Sequence, residues 1–201
     1  MTSKVHKLIK EARACTLCAP HLPLGPKPIL QLHPKAKILL VGQAPGTKAH
    51  EAGVPFSDLS GDRLRGWLGV TREQFYDETL FAILPMGFCY PGRGSGGDLP
   101  PRPECAPAWR KPLLALLPDI QLTLLMGRYA IDWHLPDERA RPLTDIVTDW
   151  RKNWPKTLVL PHPSPRNVGW FKRNPWFEKD VVPHLQARTE SILRKQVHNE
   201  L

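Results

Sequence analysis

Four cysteines, one histidine held between prolines and one glycine-bracketed loop carry most of the chemistry open to this chain. The cysteines fall as Cys15-x2-Cys18 and, after a long gap, Cys89-x15-Cys105. Each half sits in a stretch rich in proline and glycine, where rigid turns can aim thiolates inward. Four thiolates suit either an iron-sulfur cluster or a structural zinc, and the competing reading is four unrelated cysteines.

His162 lies between Pro161 and Pro163 at the end of an apolar run. A backbone with so little freedom gives the ring a defined direction, and a histidine so placed can donate a hydrogen bond to an oxygen that gains negative charge as a bond breaks. A lone histidine is more often structural, and His6, His21, His33, His50, His134, His184 and His198 have no assigned role. Its neighbours raise it. Ser164, Arg166 and Asn167 follow, then Gly169-Trp170-Phe171-Lys172-Arg173. Short hydroxyl and amide groups bind phosphates, Arg and Lys add charge, and aromatics can stack on bases. The alternative for Trp170 and Phe171 is a place in the core.

A third feature is Lys37-Ile38-Leu39-Leu40-Val41 running into Gly42-Gln43-Ala44-Pro45-Gly46. The apolar run predicts a buried parallel strand. Gly42 and Gly46 allow positive φ and close approach to a ligand, while Pro45 stiffens the turn, so amides there can be held aimed at something. The spacing fits neither the phosphate loop nor the dinucleotide fingerprint. By itself the loop is also compatible with an ordinary strand-to-helix turn. Phe56, after Pro55 in a polar stretch, reads either as an exposed stacking face or as a plug for its own loop.

Alternating elements must position these residues. Helices are expected over Ser3–Ala14, Gly61–Leu68 (capped by Ser60), Ala108–Leu117, Gly127–His134, Pro142–Asn153 and Glu178–Gln196, and strands over 37–41, 80–84, 122–126 and 157–160. Pro112 is expected to kink or reset its helix. The pattern predicts an α/β fold of three layers, αβα, around a mainly parallel four-stranded sheet. Ligands bind such sheets at the carboxyl ends of the strands. The glycine loop and the His162 loop would then face one crevice.

With 201 residues, 41% of them hydrophobic, the chain suits one domain. Residues 1–36 would pack on it as a helix and cysteine loop, and 178–201 would close it as a helix. Lys and Arg number 28 against 19 Asp and Glu, leaving +9, which favours a polyanionic partner. No run approaches the roughly 20 apolar residues of a membrane span. The N-terminus lacks a secretory pattern, so a cytoplasmic location is expected, where thiols stay reduced.

Together these residues resemble the uracil-DNA glycosylase superfamily. GQAPG sits where the iron-sulfur, family-four branch has G-E-A-P-G; GVPF at 53–56 matches its G-x-P-F; and Cys15, Cys18, Cys89 and Cys105 match its four cluster ligands in order and approximate spacing. HPSPRN at 162–167 is similar to the second motif of the single-strand-selective branch, which also carries G-V-P-F. The resemblance spans roughly residues 11 to 171.

That resemblance implies a monomeric DNA glycosylase of base excision repair with a structural 4Fe-4S cluster, zinc being the alternative. It would flip a damaged or deaminated base out of DNA and hydrolyse its N-glycosidic bond. Phe56 matches the stacking residue and His162 the histidine that stabilises charge on the leaving base. Gly42, Gln43 and Ala44 would contact the base or water. Ser164, Arg166, Asn167 and Lys172 would bind DNA.

Two departures stand out. Gln43 replaces the carboxylate, and it can orient water but cannot take its proton, which makes His50 and Glu51 candidate substitutes. No amide side chain stands before Cys89 to read the base edge, so backbone at Met86 and Gly87 is expected to read it, or the substrate is another base. A non-catalytic nucleic-acid-binding protein on the same fold is the alternative function. An unrelated small-molecule hydrolase makes poor sense of the +9 charge.

Overall fold

A computed structural model describes residues 3–198. In chain order the elements are α1 (Ser3–Arg13), β1 (Ile38–Val41), α2 (Thr47–Ala52), α3 (Leu59–Leu68), α4 (Arg72–Tyr76), β2 (Phe81–Ile83), β3 (Arg93–Gly94), β4 (Gly97–Asp98), α5 (Cys105–Leu114), β5 (Leu122–Met126), α6 (Arg128–His134), α7 (Leu143–Thr148), β6 (Thr157–Leu160), α8 (Val168–Arg173) and α9 (Val182–His198). A π-helical turn, Phe177–Val181, leads into α9.

The main sheet has the order β2-β1-β5-β6, with every neighbouring pair parallel. Its registers, such as Leu39 with Ala82 and Leu124 with Leu158, bring Leu, Ile, Val and Ala side chains into one core. All four β1 residues are buried, the condition of a parallel strand covered on both faces. Helices on the two faces complete the expected three-layer αβα architecture. Ile9 and Ala12 of α1 and Leu185 and Ile192 of α9 belong to the same core as the strands.

The free edge of β2 is closed by the segment before β1. Gln31 exchanges backbone hydrogen bonds with Ile83 at 3.0 and 2.8 Å, and its side-chain amide donates to the carbonyls of Phe75 and Phe81. One polar residue thereby satisfies backbone groups that an open edge would leave unpaired.

Several boundaries differ from expectation for local reasons. The cap of α3 is Asp58, not Ser60: its carboxylate accepts from the amides of Ser60 and Gly61, a charge-assisted cap that a serine two residues further on cannot supply. α5 begins at Cys105 and runs through Pro112, so the fourth cysteine lies in a first helical turn and not in a loop. α4, with a Thr71–Gln74 capping box, and the short helices α2 and α8 arise from stretches too brief to show a helical period.

Trp170 and Phe171 of α8 resolve toward the core. With Trp67, Trp176 and Phe177 they form a mostly edge-to-face network at centroid separations of 5.0–6.4 Å, the Phe171–Phe177 pair being tilted. The Trp170 indole N–H donates to Thr144 Oγ1 at 2.9 Å.

Candidate functional site

At the carboxyl ends of β2, β1 and β6 opens a cleft of about 480 Å³, within the size range of small-ligand sites. Its walls are the glycine loop 42–46, Phe56, Asp58, Pro85, the β3–β4 hairpin from Gly96 to Leu99, and the loop from His162 to Asn167. Of the sequence-predicted site residues, the structure therefore brings together Gly42, Gln43, Ala44, Phe56, His162, Ser164, Arg166 and Asn167.

The two glycines of the loop face the cleft walls at different distances, Gly42 at ordinary contact and Gly46 more tightly. Gly42 and Gly46 have no positive φ, contrary to the freedom expected of them. A Cβ at Gly42 would lie 3.7 Å from the Phe56 ring, and one at Gly46 would lie 3.3 Å from Asp98 Oδ2. The loop is held from below, because Met86 N–H donates to Gly42 O and Gly87 N–H to Gln43 O, both at 2.9 Å. Those two amides are thus engaged within the protein, and neither Met86 nor Gly87 lines the cleft; Gly87 faces the cysteine cavity instead.

Among the described residues Phe56 is the one non-glycine residue in the left-handed region, at φ 53, a strained position for an aromatic residue. Several contacts hold it there. Its carbonyl accepts from Tyr76 Oη at 3.0 Å and Arg65 at 3.3 Å, and its ring meets Phe75 edge-on at 6.1 Å. Gly61 makes room, since a Cβ there would stand 1.8 Å from the Phe56 carbonyl oxygen. The result is a ring fixed beside Gly42.

His162 owes its tautomer to its neighbour. The Ser164 amide donates to its Nδ1 at 3.2 Å, which leaves the proton on Nε2 when the ring is neutral. Burial pushes the ring below the usual histidine range, against the smaller opposing pull of Asp58 and Asp98. A neutral Nε2–H donor results. Asn167 Nδ2 donates to the His162 carbonyl at 2.8 Å, and Arg63 to the carbonyls of Pro163 and Ser164 at 3.1 and 3.3 Å. Arg63 also stacks over Phe171 at 5.1 Å. Its role is a positioning one that no local pattern announced.

Other candidates lie elsewhere. His50 is on α2 and does not line the cleft; its ring packs 6.1 Å from Tyr90, and its Nδ1 is buried without a hydrogen-bond partner. Glu51 is exposed and also outside the cleft. Lys172 is exposed on α8, away from the cleft lining. Conversely, Asp58 and Asp98 bring carboxylates into the cleft that sequence reasoning missed, one from a helix cap and one from a hairpin too short to show strand alternation.

The four cysteines line a second cavity, with Leu17, Leu22, Pro28, Gly87, Phe88 and Arg102, and all are free thiols. Phe88 N–H donates to Cys105 Sγ at 3.4 Å and Trp109 Nε1–H to Cys15 Sγ at 3.1 Å, contacts that favour thiolate. Burial pushes Cys18 and Cys89 up and Cys105 up to about 12, so a cation is needed to hold them ionised. Among the described residues no group of three or more His, Cys, Asp or Glu is set to hold a metal ion. What the four cysteines share is one cavity with an all-sulfur set of potential donors.

A cleft at the strand ends of a parallel αβα sheet, walled by a glycine loop, an aromatic ring and a neutral histidine, defines a class of small-ligand α/β proteins. The family model of the uracil DNA glycosylase superfamily matches residues 31–186, more than half of the chain. The chain belongs to that superfamily, whose members act on DNA. The match takes in Cys89 and Cys105 and leaves Cys15 and Cys18 outside it. No helix among the described residues is long and apolar enough to cross a membrane.

Proposed function

We propose that this protein is a monofunctional DNA glycosylase that hydrolyses the N-glycosidic bond of uracil or another deaminated or damaged base. The observation that carries the reading is the meeting of Phe56, the glycine loop and the Nε2–H donor of His162 in one cleft. A flipped base would stack on Phe56. As the N-glycosidic bond lengthens, a base oxygen gains negative charge, and His162 Nε2–H donates to it without needing to transfer its proton. Arg166, Ser164 and Asn167 sit on the rim where the DNA backbone would pass.

Release of free base from uracil-, hypoxanthine- and xanthine-containing single and double strands tests this. Wild-type protein should release at least one of them, and His162→Ala should lower the single-turnover rate by about a hundredfold or more with DNA affinity nearly unchanged. Absence of release from every substrate would favour the second reading, a non-catalytic lesion-binding protein. That reading draws on Gln43 and on the lack of an amide side chain between Leu84 and Cys89.

Cys15, Cys18, Cys89 and Cys105 would hold a 4Fe-4S cluster, which supplies a cross-link between chain segments and no chemistry at the base. Zinc is the alternative. Broad visible absorbance with iron and sulfide in anaerobically purified protein supports the cluster, zinc alone supports the other metal, and neither element would exclude both. We further propose a cytoplasmic monomer.

A further inference from the structure

Gln43 stands where the family-four glycine loop G-E-A-P-G has a carboxylate, and the structure shows what the amide does here. Its Nε2 donates to the Leu99 carbonyl at 3.1 Å, tying the glycine loop to the residue that leaves β4. The hairpin is fixed at two further points. Leu99 N–H returns to Gly92 O at 2.8 Å, and the Arg166 guanidinium packs so closely on Gly97 that a Cβ there would meet Nη1 at 2.3 Å. Gly97, at φ 138, takes a backbone conformation that favours glycine.

The last hairpin residue is Asp98. It lines the cleft together with Gln43 and His162, its Oδ2 is 3.3 Å from the Cβ position of Gly46, and His162 feels its charge. The other cleft carboxylate, Asp58, is engaged: its Oδ1 accepts from the amides of Ser60 and Gly61 as the cap of α3. Asp98 has no such duty.

We infer that Asp98 is the catalytic carboxylate that receives the proton of the attacking water, delivered across the cleft by a hairpin that Gln43 pins in place. The inference rests on the glycosylase reading above. The N-glycosidic bond breaks with its electron pair leaving on the base, and His162 Nε2–H stabilises the resulting oxyanion. The water oxygen bonds to C1′ of the deoxyribose while one water proton passes to the Asp98 carboxylate, which returns it to the base anion or to solvent. Free base and an abasic sugar result.

The test compares single-turnover base release and DNA affinity for wild type, Asp98→Asn and His162→Ala on whichever base the wild type releases, with thermal melting as a fold control. Asp98→Asn should keep its melting temperature and DNA affinity and lose about a hundredfold or more in rate, the size of a general-base contribution. A rate within about threefold of wild type would overturn the role of Asp98 and leave the glycosylase reading standing, provided His162→Ala is impaired. No release by the wild type would overturn both.

Discussion

At the scale of single residues, the cleft presents groups held in one protonation state or one orientation by a neighbour. His162 is held neutral by partial burial, with a backbone amide occupying Nδ1, so Nε2–H stays a donor at neutral pH. The Gln43 amide ties the glycine loop to Leu99. Gln43→Glu, which would restore the residue usual in the family-four branch, should therefore fail to raise base release, because it replaces a donor to Leu99 O with a carboxylate that repels both that carbonyl and Asp98. A gain of about tenfold or more in single-turnover rate would contradict this. His134 makes a different prediction, about stability. Burial and the adjacent Arg110 guanidinium push it down to about 4, and Arg110 bonds its Nε2 and the carbonyls of Leu84 and Pro85. The unfolded chain then binds the extra proton between about 6.5 and 4. Stability is full above the upper value and declines as pH falls through that window, by up to about 3 kcal/mol. Denaturant titrations near neutral pH and at the acid end of the window should show the decline, and His134→Gln should flatten it.

Among elements, the cleft is built by close contacts between pieces that are weak alone. The strained backbone of Phe56 is tolerated because α3 presents Gly61 to its carbonyl and α4 presents Tyr76. Gly61→Ala would drive a methyl group into that carbonyl, and the chain must shift to relieve it. The expected cost is about 1–3 kcal/mol of stability, accompanied by loss of base release as the ring leaves Gly42; unchanged release together with an unchanged melting temperature would show that Phe56 is not so constrained. α8 teaches the converse lesson. Its alternation of basic and aromatic residues suggests a nucleic-acid wedge, yet its rings complete an aromatic cluster against α3 and the turn before α9. A local pattern of charge and ring does not say which way a six-residue helix faces.

For the whole molecule, the cysteine cavity brings together the segment before β1, the exit of β2 and the start of α5, and the proposed cluster would close a loop of some seventy residues between Cys18 and Cys89. Cys18→Ser should lower the melting temperature of metal-loaded protein and speed proteolysis within residues 1–36 ahead of the sheet, which limited digestion followed by mass spectrometry would detect. Equal cleavage rates would argue that the cysteines do not tie that segment down. Much of this architecture is written locally. The apolar runs of β1, β5 and β6, the loop 42–46, Phe56 and His162 are each legible because a buried strand and the turn that ends it are specified by adjacent residues. The superfamily is legible for the same reason. What only the tertiary structure decided depends on partners far apart in the chain: Gln43 with Leu99, Arg63 with Pro163, Gly61 with Phe56, and Asp98 with Gly46. Such contacts leave no period or motif, because their free energy is realised only once the sheet has brought the strand ends together. The sequence alone determined that the glycine loop and the His162 loop would meet in one crevice at those ends; the packed chain decided that Asp58 and Asp98 would stand in it.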